Sequence, residues 1–207
     1  YKVTGSDQQK NSNVLRLKKL GVKIFIGHNS SNIENASLVV FSSAISKNNP
    51  EIKRAIKLNI PVISRSEMLK ELMRVKSTIT VAGSHGKTTT VSLIAEILDK
   101  AKLDPTVING GIINSYGSNT KLGTSDLMLV ETDESDGSFS LLPSFGGVIT
   151  SIDNEHIDFY GSKKKLMDSF HSYIRNISPF GFLAVSEKDK NIQAILENYK
   201  SLNIYKY

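Results

Sequence analysis

The sequence contains no cysteine. That excludes a disulfide framework and any chemistry that needs a thiolate, and it fits a reducing compartment. Long apolar runs are missing as well. No stretch approaches the ~20 residues that a membrane-spanning helix needs. The segment from Tyr1 to Asn13 is polar and holds no apolar signal core. We therefore expect a soluble, cytoplasmic protein with no membrane partner. Zinc-finger spacing, an RNP-type aromatic motif and a basic cluster are also absent, so nucleic acid is not an expected partner. No internal repeat or low-complexity tract is visible, and nothing points to an oligomeric partner. The chain opens on Tyr1-Lys2-Val3, which reads as the end of a strand with no methionine before it. We expect the numbering to begin inside a larger protein.

What remains is ample for a folded core. The 207 residues are 39% hydrophobic and 22% charged, enough for one large domain or two small ones. The net charge of +6 comes from scattered lysines. Such lysines mostly solvate helix faces, and they also attract anionic ligands such as nucleotides.

Strand and helix signals alternate, which predicts an α/β protein with a mostly parallel sheet. Asn11 to Leu20 reads as a helix stopped by Gly21. Val22 to Ile26 and Leu38 to Ser42 read as strands. Asn49-Pro50-Glu51 supplies an N-cap, a first-turn proline and a first-turn acid for a helix reaching Leu58. Pro61 to Ile63 reads as a strand and Ser66 to Val75 as a helix. A polar break at Lys76-Ser77 then marks a domain boundary, giving segments 1–77 and 78–207.

In the second segment Thr78 to Ala82 is a predicted strand. Val91 to Ala101 is a predicted helix with Leu93, Ile94, Ile97 and Leu98 on its apolar face. Leu127 to Glu131 and Gly147 to Ile152 read as buried strands. Ser162 caps a helix with the stripe Leu166, Phe170, Tyr173, Ile174 and Ile177, which Pro179 and Gly181 would end. A strand at Phe182 to Val185, a helix at Ile192 to Tyr199 and a weak strand at Asn203 to Tyr205 follow.

The strongest local signal is Gly83-Ser84-His85-Gly86-Lys87-Thr88-Thr89-Thr90, between a strand and a helix. Glycines let backbone N–H groups turn toward phosphate oxygens, and the helix N-terminus adds positive potential. Lys87 can reach terminal phosphates and the Thr88 hydroxyl can hold Mg²⁺. The usual pattern has a glycine where this chain has Val81, so the loop is shorter.

Two acidic segments also follow predicted strands, where ligands of open α/β sheets gather. One is Glu131-Thr132-Asp133-Glu134-Ser135-Asp136, in which Glu131 stands nearest the strand and is the first candidate for Mg²⁺. The other runs Ser151-Ile152-Asp153-Asn154-Glu155-His156-Ile157-Asp158, where His156 could serve a second cation. His85 is either a ligand contact or a plain loop residue. His28 and His171 show no local constellation, and His171 is expected at the surface.

Together these segments resemble the Mur ligases. The resemblance rests on Ala82 to Thr90, Asn109-Gly110-Gly111, Glu131 to Asp136, and Glu155-His156-Ile157-Asp158-Phe159-Tyr160. It extends upstream through Thr4-Gly5-Ser6-Asp7, Ser42-Ser43-Ala44-Ile45, Asn49-Pro50-Glu51-Ile52 and Glu67-Met68-Leu69. Within the family it is to the members that join L-alanine to UDP-N-acetylmuramic acid.

It implies the remainder of a Rossmann-like domain for the UDP-sugar over 1–77, then a central phosphate-loop domain over 78–207. ATP and Mg²⁺ are the implied cofactors; UDP-N-acetylmuramate and L-alanine are the implied substrates. The implied reaction forms an amide through an acyl phosphate. Gly83, Ser84, His85, Gly86, Lys87, Thr88 and Thr89 would hold the nucleotide, and Lys87 would steady the moving phosphoryl group. Thr88 and Glu131 would hold one cation and His156 a second. Asp7, Ser42 and Ser43 match positions near the UDP-sugar end, and Asn109 a segment lining the substrate cleft.

The resemblance also implies a third domain and an earlier glycine-rich loop that this sequence lacks, so activity from it alone is not expected. Three positions depart from the family's pattern. Glu155 stands where Asp is more frequent, Ser151 where Asn is, and Lys121 where Arg is. A lysine lacks the guanidinium fork, so a substrate contact there would weaken. Rival readings are a sister ligase attaching a whole tripeptide, a P-loop kinase or NTPase without ligase activity, and, on charge alone, a nucleic-acid-binding module.

Overall fold

Short parallel strands joined by helices build the first part of the chain. In the computed structural model, residues 1–135, 137–155, 157–199 and 201–207 are described. Strand β1 (Thr4–Asp7), helix α1 (Ser12–Lys19) and strand β2 (Lys23–Ile26) form one parallel βαβ unit. Asn11 caps α1 by accepting the Val14 N–H at 2.9 Å, and Gly21 follows at φ 84°. A 3₁₀ turn (Ser30–Ile33) leads to strand β3 (Val39–Phe41), helix α2 (Pro50–Lys57) and strand β4 (Val62–Ser64), a second parallel pair. Asn49 caps α2, accepting the Glu51 N–H at 2.8 Å. Helix α3 (Arg65–Arg74) follows, and the division between the chain's two units, Tyr1–Leu69 and Lys70–Tyr207, falls within it. The expected strand end at Tyr1-Lys2-Val3 is corrected: the ladder with β2 begins at Thr4.

The second unit is one seven-stranded sheet clad by helices. In chain order it contains β5 (Ser77–Ala82), α4 (Lys87–Lys100), β6 (Thr106–Ile113), β7 (Ser118–Lys121) and β8 (Leu127–Glu131). A 3₁₀ turn (Ser138–Leu141) precedes β9 (Ser144–Ile149) and α5 (Ile157–Tyr160). Then come α6 (Lys163–Arg175), β10 (Ile177–Val185), α7 (Lys190–Leu196) and β11 (Asn203–Lys206). The strand order is β11-β10-β9-β5-β8-β6-β7. Every pairing is parallel except β6 with β7 at the edge.

Successive residues of a strand face opposite sides of a sheet, and the two cores follow that rule. Val81 and Val148 pack with Val91 and Ala95 of α4, while the next residues, Ala82 and Ile149, pack with Phe170, Tyr173 and Ile192 of α6 and α7. The sheet is covered on both faces, as parallel sheets require. Tyr173 is fully buried, its hydroxyl 2.8 Å from Thr80 Oγ1 and donating to the Thr80 carbonyl at 3.1 Å. Burial pushes the Tyr173 phenol well above its ordinary range.

Two sequence expectations are corrected here, and one element is new. On α4 the stripe is partly rotated: Ile94 packs against the core as expected, but Leu93 and Ile97 are 61% and 66% exposed, and Val91 and Ala95 are the buried pair. Pro179 does not end α6, which closes at Asn176; the proline lies within β10. It is tolerated because the register against β9 shifts between Ile177 and Phe182, so the missing N–H falls where the ladder is interrupted. The hairpin β6–β7 was not foreseen, since its polar and glycine-rich strands lack a strand pattern. Among the described residues no helix is long and apolar enough to cross a membrane.

Candidate active site

The site forms where β5, β8 and β9 end side by side. Val81 pairs with Glu131, and Ala82 with Ile149, so three loops leave the same end of the sheet. Val81 is fully buried in β5, which shows why no glycine is needed there: the strand continues one residue further before the turn. Gly83 turns at φ 132°, and a Cβ would lie 2.2 Å from Thr150 Oγ1 and 2.8 Å from the Ser151 carbonyl. Only glycine fits this approach. Gly86, at φ 78°, opens α4 without a side-chain cap.

Lys87 is the first residue of α4, and its ammonium is deep in the site. Nζ donates to the Gly83 carbonyl at 2.6 Å and to both oxygens of Glu134, at 2.9 and 2.7 Å. Glu134 is 2% exposed and the Lys87 side chain 14%. The Glu134 carbonyl accepts the Tyr160 hydroxyl and, at 3.2 Å, the Gly137 N–H. Beside this pair the Thr88 hydroxyl donates to Glu131, 3.0 Å from each carboxylate oxygen. Glu131 also accepts the Gly110 N–H at 2.7 Å, and a Cβ on Gly110 would stand about 3 Å from that carboxylate. Asn109-Gly110-Gly111 is thus the wall against which Glu131 rests. Asn109 itself is buried; its amide donates to the Gly111 carbonyl at 3.2 Å, while its Oδ1 has no partner among the described residues.

The outer part of the loop is tied to β9's exit. Ser84 N–H donates to the Ser151 carbonyl at 2.9 Å, and His85 N–H to Ser151 Oγ at 3.1 Å. Ser84 Oγ accepts the Asp153 N–H at 2.9 Å. His85 Nε2 lies 3.1 Å from Asp153 and 3.6 Å from Glu155. The Ser84 and His85 amides are thus bonded to Ser151, a tie that sequence reasoning did not foresee. Ser151 therefore has a local task of its own. Thr89 is exposed on α4's first turn. His156 lies outside the described residues.

Sequence reasoning missed Glu134 as a partner of Lys87, although it belongs to the acidic segment already singled out. Its signal was the second glutamate, three residues past the strand end. Lys121 has protein partners that sequence reasoning did not foresee. It donates to Asp99 at 2.5 Å and lies 2.8 Å from Asp104, and the Tyr116 hydroxyl donates to Asp99 at 2.5 Å. Those bonds fasten β7 to the end of α4. Burial disfavours the charged form of Asp99, yet hydrogen bonds from Lys121 and Tyr116 outweigh it and hold the carboxyl below its ordinary range.

In the first unit Asp7 and Ser42 line one cavity of about 520 Å³; Ser43 is exposed and does not line it. The Gln9 N–H, then the Asn11 amide, lower the Asp7 pKa. His28 does have a constellation, contrary to its sequence reading. Its Nδ1 is 3.1 Å from Ser6 Oγ and 3.4 Å from Glu51, and Ser6 donates to Glu51 at 2.7 Å. β1, the loop after β2 and α2 bring these residues together from distant positions. His171 is half-buried, its Nδ1 3.0 Å from the Tyr199 hydroxyl, rather than at the surface.

Comparison with known proteins gives this geometry a family. The description "Mur ligase family, catalytic domain" matches residues 1–77, and "Mur ligase middle domain" matches 81–207. The chain belongs to the Mur ligase family. A UDP-N-acetylmuramate–L-alanine ligase of Paramagnetospirillum magneticum is 49% identical to this Mur ligase chain over all 207 residues, which cover 44% of that protein. The chain thus spans less than half the length of the curated relatives it matches. A UDP-N-acetylmuramate–alanine ligase of Thermotoga maritima superposes with a TM-score of 0.81 at 28% identity, over 93% of this chain and 45% of that one. A UDP-N-acetylmuramate:L-alanyl-γ-D-glutamyl-meso-diaminopimelate ligase of Neisseria meningitides shares the fold, with a TM-score of 0.84 at 22% identity over 98% of this chain and 69% of that one.

Proposed function

We propose that this chain is part of an ATP-dependent ligase that joins L-alanine to UDP-N-acetylmuramic acid. The observation that carries the reading is the convergence of Lys87, Thr88, Glu131 and Glu134 at the ends of β5 and β8. The identity to L-alanine ligases favours alanine over a tripeptide as acceptor. Residues 1–77 would serve the UDP-sugar, with Asp7 and Ser42 lining the cavity for it and Ser43 next to Ser42 in sequence, and 78–207 would serve ATP.

The residues fit a hard cation. A hydroxyl and a carboxylate already meet at 3.0 Å, and Mg²⁺ usually takes one or two carboxylates together with phosphate oxygens and water. Thr88 and Glu131 would hold it, and the family resemblance assigns a second ion to His156. Bound there, Mg²⁺ would neutralise charge on the phosphoryl oxygens.

The protein's own part is positioning and charge stabilisation. Gly83, Ser84, His85, Gly86 and Thr89 shape the loop around the nucleotide. Lys87 meets the charge of the γ-phosphoryl group as it passes to the substrate carboxylate, giving an acyl phosphate and ADP. Asn109, buried next to Gly110 in the wall beside Glu131, would help shape the substrate cleft. The amine of L-alanine then attacks the activated carbonyl, phosphate leaves, and the amine loses a proton.

The test is phosphate release by the full-length protein with ATP, UDP-N-acetylmuramate and L-alanine. Lys87→Arg keeps a cation beside Glu134 but not the point charge, and should lower turnover by about 10²–10³-fold with the fold retained. Undiminished turnover would remove Lys87 from the mechanism. Turnover indifferent to UDP-N-acetylmuramate would favour a simple NTPase, and turnover with the tripeptide but not L-alanine would favour the sister ligase.

A further inference from the structure

We infer that Glu134 is a positioning residue for Lys87: an exchangeable counterion that aims the lysine and yields it to phosphate oxygens. The inference rests on the nucleotide reading above and adds to it a competition inside the site.

The reasoning begins with donors. A lysine ammonium has three N–H bonds. Those of Lys87 are matched by three acceptors within 2.9 Å: the Gly83 carbonyl and the two Glu134 oxygens. No donor is left over, so a phosphate that recruits Lys87 must displace one of these acceptors. The Gly83 carbonyl cannot move easily. Its residue is wedged at φ 132° against Thr150 and Ser151, and the next residue's N–H is bonded to the Ser151 carbonyl. The Glu134 carboxylate, by contrast, stands at the end of a side chain with three rotatable bonds, on a backbone anchored by Tyr160 and Gly137. Exchange therefore falls on Glu134, which can release Nζ without moving its main chain.

Glu131 does not share this task, because its oxygens face Thr88 and the Gly110 N–H. The two glutamates divide the loop between them: one sits at the hydroxyl, the other at the ammonium. Charge-assisted bonds of this kind are strong. Holding Lys87 through Glu134 thus lowers nucleotide affinity while keeping the ammonium aimed along the loop.

The experiment is a calorimetric titration of the purified full-length protein with Mg·ADP, alongside thermal melting. Glu134→Gln keeps the size and removes the charge, and should tighten ADP binding about fivefold. A residue with only a structural role would loosen binding when replaced, so the direction of the change decides. Glu134→Asp is the second variant. Its carboxylate is drawn back by one methylene, cannot hold Nζ through both oxygens, and should tighten ADP binding about twofold. Equal or weaker ADP affinity in whichever variant folds overturns the inference. Loss of folding in both also overturns it, since the pair would then be structural rather than exchangeable. Wild-type protein that binds no Mg·ADP would instead overturn the nucleotide reading on which the inference stands.

Discussion

Lys87 and Lys121 both belong to the seven-stranded unit and both hold carboxylates at short range, but their surroundings differ. Lys87 bonds the nearly inaccessible Glu134 through both of its oxygens. Lys121 is 22% exposed and lies between Asp99 and Asp104, the latter 41% exposed, with the Tyr116 ring 5.3 Å away. Desolvating a pair is costly, and removing one partner then strands the other. A half-exposed pair is screened by water and worth little. The contrast separates a lysine whose partner must be exchanged for a ligand from one whose partners only fasten an edge strand.

Melting of single and double variants tests that contrast directly. Lys87→Met leaves Glu134 buried without its cation and should cost on the order of 3 kcal/mol, or ~6–12 °C in melting temperature. Adding Glu134→Leu should recover most of that loss, because two apolar side chains replace two buried charges. A Lys87→Met melt equal to wild type would erase the distinction between the two lysines. Lys121→Met should lower the melting temperature by only ~2–4 °C, with nucleotide binding unchanged within about twofold. A larger change in nucleotide binding would mean that Lys121 serves the ligand after all.

The helices show which parts of this were legible beforehand. The stripe of α6 was readable because Leu166, Phe170, Tyr173 and Ile174 are large, evenly spaced and truly inward. On α4 the same reasoning chose Leu93, Ile94, Ile97 and Leu98, of which Ile94 packs inward while Leu93 and Ile97 are exposed; the helix lies against the sheet through the smaller Val91 and Ala95. Periodicity gives a face, and side-chain size alone gives it wrongly when small residues permit the closer approach. The phosphate loop and Glu131 were readable because glycines, lysine and a post-strand acid have local meaning. The Lys87–Glu134 pair was not, since it joins residues 47 apart whose meeting depends on β5 and β8 being neighbours. The Ser6–His28–Glu51 cluster was hidden for the same reason: β1, the loop after β2 and α2 supply one residue each.

Acid titration gives the smallest and most specific prediction about the Lys121 cluster. Hydrogen bonds from Lys121 and Thr124 lower the Asp104 pKa, and Asp99 is lowered because Lys121 and Tyr116 outweigh its burial. A depressed carboxyl contributes stability above its unfolded pKa of about 3.9, and that contribution is lost as pH falls through the lower folded value. Lys121 is shifted the other way: burial opposes its charge, but the bonds to Asp104 and Asp99 prevail and raise it. Burial, then the bond to Asp99, pushes Tyr116 up to about 12. A raised group contributes below its unfolded pKa of about 10 and loses that as pH climbs through the folded value. The melting difference between wild type and Lys121→Met should therefore be flat between about pH 5 and 9 and shrink below about pH 4. A difference that grows as the solution is acidified would mean that Asp99 and Asp104 do not depend on Lys121 for their charge, and the cluster would have to be held by packing alone.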